Sequence, residues 1–177
     1  MSSRMTRGKL VACTVGALTA AALALSTSPA AASGTYSGRA YVYGAGVFGD
    51  DWGDEGIVST SYNTSSNATC LWQKILWADH RLEASQIDGI FGTDTYNATI
   101  DWQIDFLGSS NADGIAGKET WGLADAYLQD TDNDGAVDRY LGTSGRYANI
   151  SRDSDGRYHF YDGGGSARIA GYDYNTC

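Results

Sequence analysis

Between residues 70 and 128, apolar positions recur at helical spacing in three pieces separated by turns that contain glycine. The first piece predicts a helix from Leu71 to Leu82, with Trp72 and Ile75 on its apolar stripe. A short helix buries only one stripe, so all three pieces are needed to enclose a core. The pattern therefore predicts a three-helix domain over residues 70–128.

From residue 129 to 177 the pattern changes to alternation, with Tyr158 and Phe160 on one side of a predicted strand. Asp155-Gly156 is a hairpin signal, and the three glycines at 163–165 predict the next turn. We expect an acidic loop followed by a small antiparallel β tail.

Residues 33–69 are rich in glycine, serine, threonine, asparagine and acids, which is typical of turns and irregular structure. This segment is expected to be an irregular N-terminal extension. The predicted fold class is thus α+β, with a three-helix core, this extension and the β tail.

The first nine residues carry three cations and no acid, and an apolar run follows over residues 10–25. Three alanines at 30–32 then match the small-residue pattern that a signal peptidase cleaves. The run is shorter than the ~18 to 20 residues that a membrane-spanning helix needs. Residues 1–32 are therefore predicted to be a signal peptide, and the mature protein to be secreted and free of the membrane.

The whole chain has a formal net charge of −9. Loss of the three leader cations would leave acidic side chains outnumbering basic ones by 21 to 9. Nucleic acids and anionic membranes would repel such a protein, so neither is an expected partner. A hydrophobic content of 42% is enough for a packed core.

Three cysteines are present, and Cys13 belongs to the predicted leader. The remaining pair, Cys70 and Cys177, is expected to form a disulfide, as is usual for an even number of cysteines in a secreted chain. The alternative is a nucleophilic Cys70 at a helix N-terminus, which would need His80 or His159 as its base.

An eight-residue motif occurs twice, at 88–95 and 113–120, with Asp, Gly, Ile, Gly and Thr conserved between the two copies. Each copy predicts a tight turn in which the Asp side chain bonds the backbone, the first Gly takes positive φ and the Ile enters the core. The second Gly then starts a helix with Asp94 or Glu119 in its first turn, where a negative charge favours the helix dipole.

With the surrounding residues, this repeat resembles the peptidoglycan-binding domain of cell-wall hydrolases and secreted wall proteins. The resemblance covers residues 70–128. It rests on Trp72-Gln73 with Leu76, Asp88-Gly89-Ile90-Phe91-Gly92 with Thr95, Ala98 with Trp102-Gln103, and Asp113-Gly114-Ile115 with Gly117, Thr120 and Trp121. Thr93 and Lys118 stand where many members have proline, and the linker 107–112 is longer than usual.

The resemblance implies a three-helix bundle whose shallow groove binds peptidoglycan, through its peptide portion and without catalysis. Glycines allow the backbone to approach an extended peptide, and aromatic side chains offer flat contact area. The expected ligand-binding residues are Gly89, Phe91, Gly92, Gln103 and Trp121. Ile90, Ala98, Trp102 and Ile115 are expected to be core residues instead.

Residues 130–138 have the D-x-D-x-D-G order of a calcium-binding loop. The candidate ligands are Asp130, Asp132, Asp134 and Asp138. Position twelve is Leu141 rather than the glutamate that closes an EF-hand, so any site is open or completed from elsewhere. A solvated acidic turn is the alternative, and no cofactor is expected to be required.

A catalytic constellation is not recognisable in the sequence: the two histidines form no zinc-ligand motif, and G-x-S-x-G is absent. The acids around Trp52, namely Asp50, Asp51, Asp54 and Glu55, are a candidate acid and base pair for sugar hydrolysis or a turn-rich acidic loop. We therefore expect a monomeric, wall-associated binding protein. The alternatives are a small wall hydrolase with catalytic residues in the flanks, and an exported inhibitor or signalling protein on the same fold.

Overall fold

The computed structural model describes residues 37–177. The predicted signal peptide, 1–32, lies outside this range, as do the first residues of the predicted extension. Within the range there are three α-helices, α1 (Asn67–Ala78), α2 (Thr93–Leu107) and α3 (Lys118–Ala124). Short 3-10 helices occur at Phe48–Asp50, Ala84–Gln86, Ser109–Asn111 and Asp125–Tyr127.

Five strands form one antiparallel sheet in sequence order. They are β1 (Leu128–Gln129), β2 (Arg139–Leu141), β3 (Tyr147–Arg152), β4 (Tyr158–Tyr161) and β5 (Ala167–Ile169). Glycines with positive φ turn two of the hairpins, Gly156 between β3 and β4 and Gly165 between β4 and β5. Both hairpins were predicted from the sequence.

The predicted architecture, a three-helix core with a small β tail and an appended extension, is wrong. The class is α+β, but the sheet is a full layer of the fold, and its inner side chains Tyr140, Ile150 and Phe160 are completely buried. Val42 and Trp52 of the N-terminal segment are equally buried. The reason is that three short helices offer too little apolar surface to enclose these aromatic side chains, so the core needs all three regions.

The helices begin for local reasons that the sequence contains. Ser66 caps α1, because its Oγ accepts the backbone N–H of Thr69 at 3.0 Å. The helix extends only to Ala78, short of the predicted Leu82, and His80 after it takes positive φ. The predicted starts of α2 and α3, directly after Gly92 and Gly117, are confirmed.

Four tryptophans connect the layers of the core. Trp72 of α1 makes edge contacts with Trp102 of α2 and Trp121 of α3, at centroid distances of 5.3 and 5.2 Å. Trp52 contacts Trp121 at 5.4 Å and Tyr158 of β4 at 5.1 Å. Such pairs contribute roughly 0.5 to 1.5 kcal/mol each beyond their buried area. The N-terminal segment, the helices and the sheet are therefore one packing unit.

Asp79, which follows α1, ties the helices to the sheet. Its Oδ2 accepts the indole N–H of Trp102 at 2.9 Å and the hydroxyl of Tyr140 at 2.6 Å. Its Oδ1 accepts the backbone N–H of Thr143 at 2.8 Å. Because the carboxylate is only 4% exposed, these donors replace the water that it loses on burial.

Candidate functional site

Gln103 holds the second repeat from inside the fold. Its Oε1 accepts the backbone N–H groups of Asp113 and Gly114 at 3.0 and 2.8 Å. Its Nε2 donates to the carbonyl of Ile115 at 3.0 Å and to Thr120 Oγ1 at 3.0 Å. A further bond reaches Asp113 Oδ1 at 3.1 Å. The amide thus satisfies the backbone of the turn and joins it to the first turn of α3.

Gln73 of α1 makes the same set of bonds in the first repeat. It accepts from the backbone of Asp88 and Gly89, at 3.0 and 2.7 Å. It donates to Asp88 Oδ1, to the carbonyl of Ile90 and to Thr95 Oγ1, at 3.0, 3.1 and 2.9 Å. The two copies of the motif are therefore two copies of one structure, each a turn fastened by a glutamine from the preceding helix.

Most of the predicted ligand-binding side chains are buried. Gln103 is 1% exposed, Trp121 is fully buried and Phe91 is 3% exposed. Gly89 is buried too, and a side chain there would collide with Asn175. Gly92 is partly exposed at the start of α2, with open space beside it. A ligand can therefore reach Gly92, and the small exposed part of Gln103 borders a second groove, whereas Gly89, Phe91 and Trp121 are buried.

The expectation that Ile90 and Ile115 belong to the core is wrong, since they are 52% and 38% exposed. In each turn the Asp side chain accepts the N–H of the isoleucine, at 2.8 and 2.9 Å, and the glycine between them has φ near +70°. This geometry points the isoleucine outward and its successor, Phe91 or Ala116, inward. Ala98 and Trp102 are buried, as expected.

Each exposed isoleucine lies in a shallow groove, and we call the two surfaces the repeat grooves. The first, of about 300 Å³, is bordered by Ile90, Gly92, Gln86, Asp88 and Asp94. The second, of about 290 Å³, is bordered by Ile115, Ile57, Asn111, Lys118 and Glu119. Two carboxylates thus line the first groove, and the second combines an apolar wall with one cation and the carboxylates of Asp113 and Glu119.

The N-terminal segment contributes to both repeats by pairing with the turns. Ser65 forms a β-bridge with Ile90, and Val58 forms one with Ala116. This pairing places Ile57 in the wall of the second groove. Ile57 could not be identified from the sequence, because its segment shows no strand pattern and the bridge that places it joins Val58 to Ala116, almost sixty residues away.

Half of the acidic cluster around Trp52 is inaccessible to a substrate. Asp51 is 5% exposed, accepts from the Tyr158 hydroxyl and forms an ion pair with Arg152 at 2.5 Å. Glu55 is fully buried and accepts from Tyr43 N–H at 2.7 Å and the Tyr172 hydroxyl at 2.6 Å. Asp51 and Glu55 therefore join the N-terminal segment to the sheet.

Burial dominates the titration of these carboxyl groups. It raises the pKa of Glu55 to about 8, against the opposing effect of the Tyr172 hydroxyl. Burial also raises the pKa of Asp125, which accepts the backbone N–H of Trp52, to about 6. Burial therefore favours the protonated form of Glu55 in the folded protein.

The acidic loop before β2 contains a group of carboxylates that can hold a metal ion. One oxygen each from Asp130, Asp132 and Asp138 lies within 4.8 Å of the others. Asp134 is not in this group, and its Oδ1 accepts the N–H of Ala136 at 2.8 Å. Repulsion from Asp134 raises the pKa of Asp132, whereas hydrogen bonds from Thr131 lower that of Asp138.

The predicted disulfide is present and joins Cys70 of α1 to Cys177, with the two Cα atoms 6.0 Å apart. No helix in residues 37–177 combines the length and hydrophobicity that crossing a bilayer requires. Comparisons of the chain with protein-family models, curated proteins and solved structures give no significant match. Function is therefore argued from the sequence motifs and the geometry of the site.

Proposed function

We propose that this is a secreted, non-catalytic protein that binds bacterial peptidoglycan through its two repeat grooves. The observation that carries the proposal is the duplication of one turn, which presents an exposed isoleucine beside a shallow groove in each copy. In each copy the isoleucine borders a concave surface together with charged side chains, and such a combination of apolar and polar groups is typical of ligand sites.

The chemistry of the grooves suits the stem peptides of the polymer. Each groove combines an apolar contact with charged side chains at its border, as a short peptide with methyl and ionic groups requires. The carboxylates of Asp88 and Asp94 favour a peptide amine in the first groove. The second groove holds charges of both signs, Lys118 with Asp113 and Glu119, and so suits a peptide that carries an amine and a carboxylate. When one polymer occupies both grooves, the protein binds it more tightly than either groove alone would.

The test is sedimentation of the protein with purified, protein-free sacculi. We expect wild-type protein in the pellet, and less of it for Ile90→Ser and Ile115→Ser at unchanged thermal stability. Ile104→Ser is the matched control, since Ile104 is 43% exposed on α2 but borders neither groove. Wild-type protein that stays wholly in the supernatant refutes the proposal, and a fall in turbidity of the walls would favour a hydrolase.

We also propose that the acidic loop binds calcium, which prefers hard carboxylate ligands. The support is the proximity of the Asp130, Asp132 and Asp138 oxygens. Without a glutamate at position 141, the affinity should fall in the range of about 10⁻⁴ to 10⁻³ M that extracellular modules show. Equilibrium dialysis with radioactive calcium should show uptake that Asp132→Asn removes and the exposed-site control Asp173→Asn does not. No uptake at millimolar calcium would exclude this site.

A further inference from the structure

A third groove opens where β3 and β4 separate, on the side of the molecule formed by α1 and the sheet. Tyr147, Ala148 and Asn149 pair with β2, whereas β3 pairs with β4 only from Ile150 onward. The gap contains a cavity of about 310 Å³, and a second cavity of about 240 Å³ lies next to the disulfide. Both are bordered by Lys74, Trp77 and Asp162, and we call this surface the sheet groove.

The sheet groove is lined by aromatic side chains. Tyr147 of β3 and Tyr161 of β4 are 49% and 38% exposed, although Tyr158 and Phe160 on the inner side of β4 are buried. Trp77 is partly buried beside them. Flat rings at this exposure offer an apolar face together with a hydroxyl or indole edge that stays in contact with water.

Cations surround these rings. Arg146 lies 4.7 Å from the ring centre of Trp77, and Arg139 lies 5.2 Å from that of Tyr147. Lys74 borders both cavities. Among residues 37–177, neither these arginines nor Lys74 has a carboxylate at ion-pair distance.

Asp162, the carboxylate that borders both cavities, forms an ion pair with an arginine. Asp162 accepts from Arg168 through two nitrogens, at 2.9 and 2.8 Å. Lys74 is the cation that borders the groove in residues 37–177, and the charge of Asp162 acts on it. Arg146 and Arg139 lie on rings that border the groove and donate to the Trp77 carbonyl and to Gln129. An anionic ligand would gain charge-assisted hydrogen bonds from the remaining donors of these cations, which no carboxylate of the described residues occupies.

We propose that the sheet groove binds a carbohydrate strand of pyranose rings that bear carboxylates. The aromatic rings supply stacking surface for the C–H faces of the sugars, and Lys74 with the two arginines supplies partners for the acid groups. A polymer of phosphate and glycerol would satisfy the cations but leave the aromatic surface unused. Within peptidoglycan, whose recognition rests on the function proposed above, the corresponding part is glycan from which the stem peptides have been removed, because the lactyl carboxyl groups are otherwise amide-linked to those peptides.

The experiment measures the Kd of the full chain for three soluble polymers of matched length. The first is peptidoglycan glycan freed of its stem peptides by an amidase. The second is a chitin oligosaccharide, which has the same ring linkage without carboxylates, and the third is poly(glycerol phosphate). We expect the peptidoglycan glycan to bind at least about tenfold more tightly than either of the others.

Variants separate the contribution of charge from the contribution of stacking on the aromatic rings. Lys74→Met keeps most of the apolar stem and should weaken peptidoglycan glycan binding toward the chitin value, whereas Tyr161→Ala should weaken binding of both glycans. Arg39→Met and Tyr62→Ala change an exposed cation and an exposed tyrosine outside the groove and should leave all affinities unchanged. Equal affinity for the charged and neutral glycans, or no effect of Tyr161→Ala, overturns the proposal.

Failure of this proposal is distinct from failure of the repeat grooves. Stem peptides released by the same amidase reaction test the repeat grooves alone. Binding of the peptides without the stripped glycan would refute the sheet groove and leave the first proposal standing. Binding of the stripped glycan without the peptides would refute the repeat grooves only.

Discussion

Gln103→Met tests whether the buried glutamine is a structural clamp or a ligand contact. Methionine fills a similar volume but can neither accept from Asp113 and Gly114 nor donate to Ile115. The Asp113 carboxylate is exposed, and Thr120 keeps a bond to Ile115, so these groups lose little. The Ile115 carbonyl still accepts from Thr120 and from the Gly117 N–H, whereas the N–H groups of Asp113 and Gly114 lose the one acceptor that they share.

Each buried group left unpaired costs about 1 to 3 kcal/mol, so we expect the free energy of unfolding to fall by about 3 to 5 kcal/mol. Urea denaturation followed by tryptophan fluorescence should show an unchanged slope and a midpoint lowered by roughly 1.5 to 2 M. Gln73→Met should have a similar effect, because its bonds are the same. Ile104→Ala, at the exposed position next to Gln103, should change stability by less than about 0.5 kcal/mol.

The clamp interpretation fails if Gln103→Met lowers the free energy of unfolding by less than about 1 kcal/mol. Loss of sacculus binding at wild-type stability would instead make Gln103 a ligand contact, as the sequence analysis expected. Loss of both is consistent with the clamp, because the turn that presents Ile115 depends on it.

Three further predictions concern stability. Reduction of the Cys70–Cys177 disulfide should lower the free energy of unfolding by up to ~4.7 kcal/mol, measured by calorimetry with and without reductant; an unchanged melting temperature would contradict this. The pKa of Glu55 is about 8 in the folded protein, against an ordinary value of 4.5, so the unfolded chain loses this proton at a lower pH than the folded protein does. The free energy of unfolding should therefore fall by up to about 4 kcal/mol as the pH rises between these two values. Urea titrations at about pH 5 and pH 8 should show this loss, and Glu55→Gln should reduce it; an equal loss in the variant would refute the assignment. Asp79→Ala leaves two buried donors, the Trp102 indole and the Tyr140 hydroxyl, without an acceptor and should lower the free energy of unfolding by about 3 kcal/mol in urea denaturation. Asp105→Ala, at an exposed ion pair, should lower it by less than about 1 kcal/mol, and equal losses would contradict the role of Asp79 in joining the helices to the sheet.

The duplicated motif made the helix starts predictable, because Gly92 and Gly117 and the acids after them act locally. In contrast, the sequence did not indicate that the side chains of Ile90 and Ile115 face the solvent rather than the core. Whether Ile90 or Phe91 points inward depends on a turn in which Asp88 bonds the backbone and Gly89 takes positive φ. Hydrophobicity alone cannot separate two adjacent apolar residues in such a turn.

The two glutamines that hold the repeat turns, Gln73 and Gln103, stand in a dipeptide that occurs twice in the sequence. Trp-Gln occurs at 72–73 and again at 102–103, ahead of each Asp-Gly turn. The distance from glutamine to aspartate differs, 15 residues in one copy and 10 in the other, which hides the equivalence. An amide that pairs with a distant backbone also has no pattern of its own, so Gln103 was expected to contact the ligand.

The extent of the sheet was the least predictable part. β1 and β2 have two and three residues, too few for alternation to be recognised. Their pairing depends on contacts across the acidic loop, and the burial of Tyr140 depends on the bond to Asp79. The N-terminal segment is similar, since only its distant partners in the repeats and the sheet give it structure.

The disulfide spans every exposed loop from residue 70 to residue 177, including the acidic loop at 131–135. A single proteolytic cut anywhere in that interval leaves both fragments covalently attached to each other. The shared core then holds the cut ends in place, so the nicked protein would migrate as one species until a reductant is added. For the secreted protein proposed above, the disulfide would thus keep the two fragments together after extracellular proteolysis.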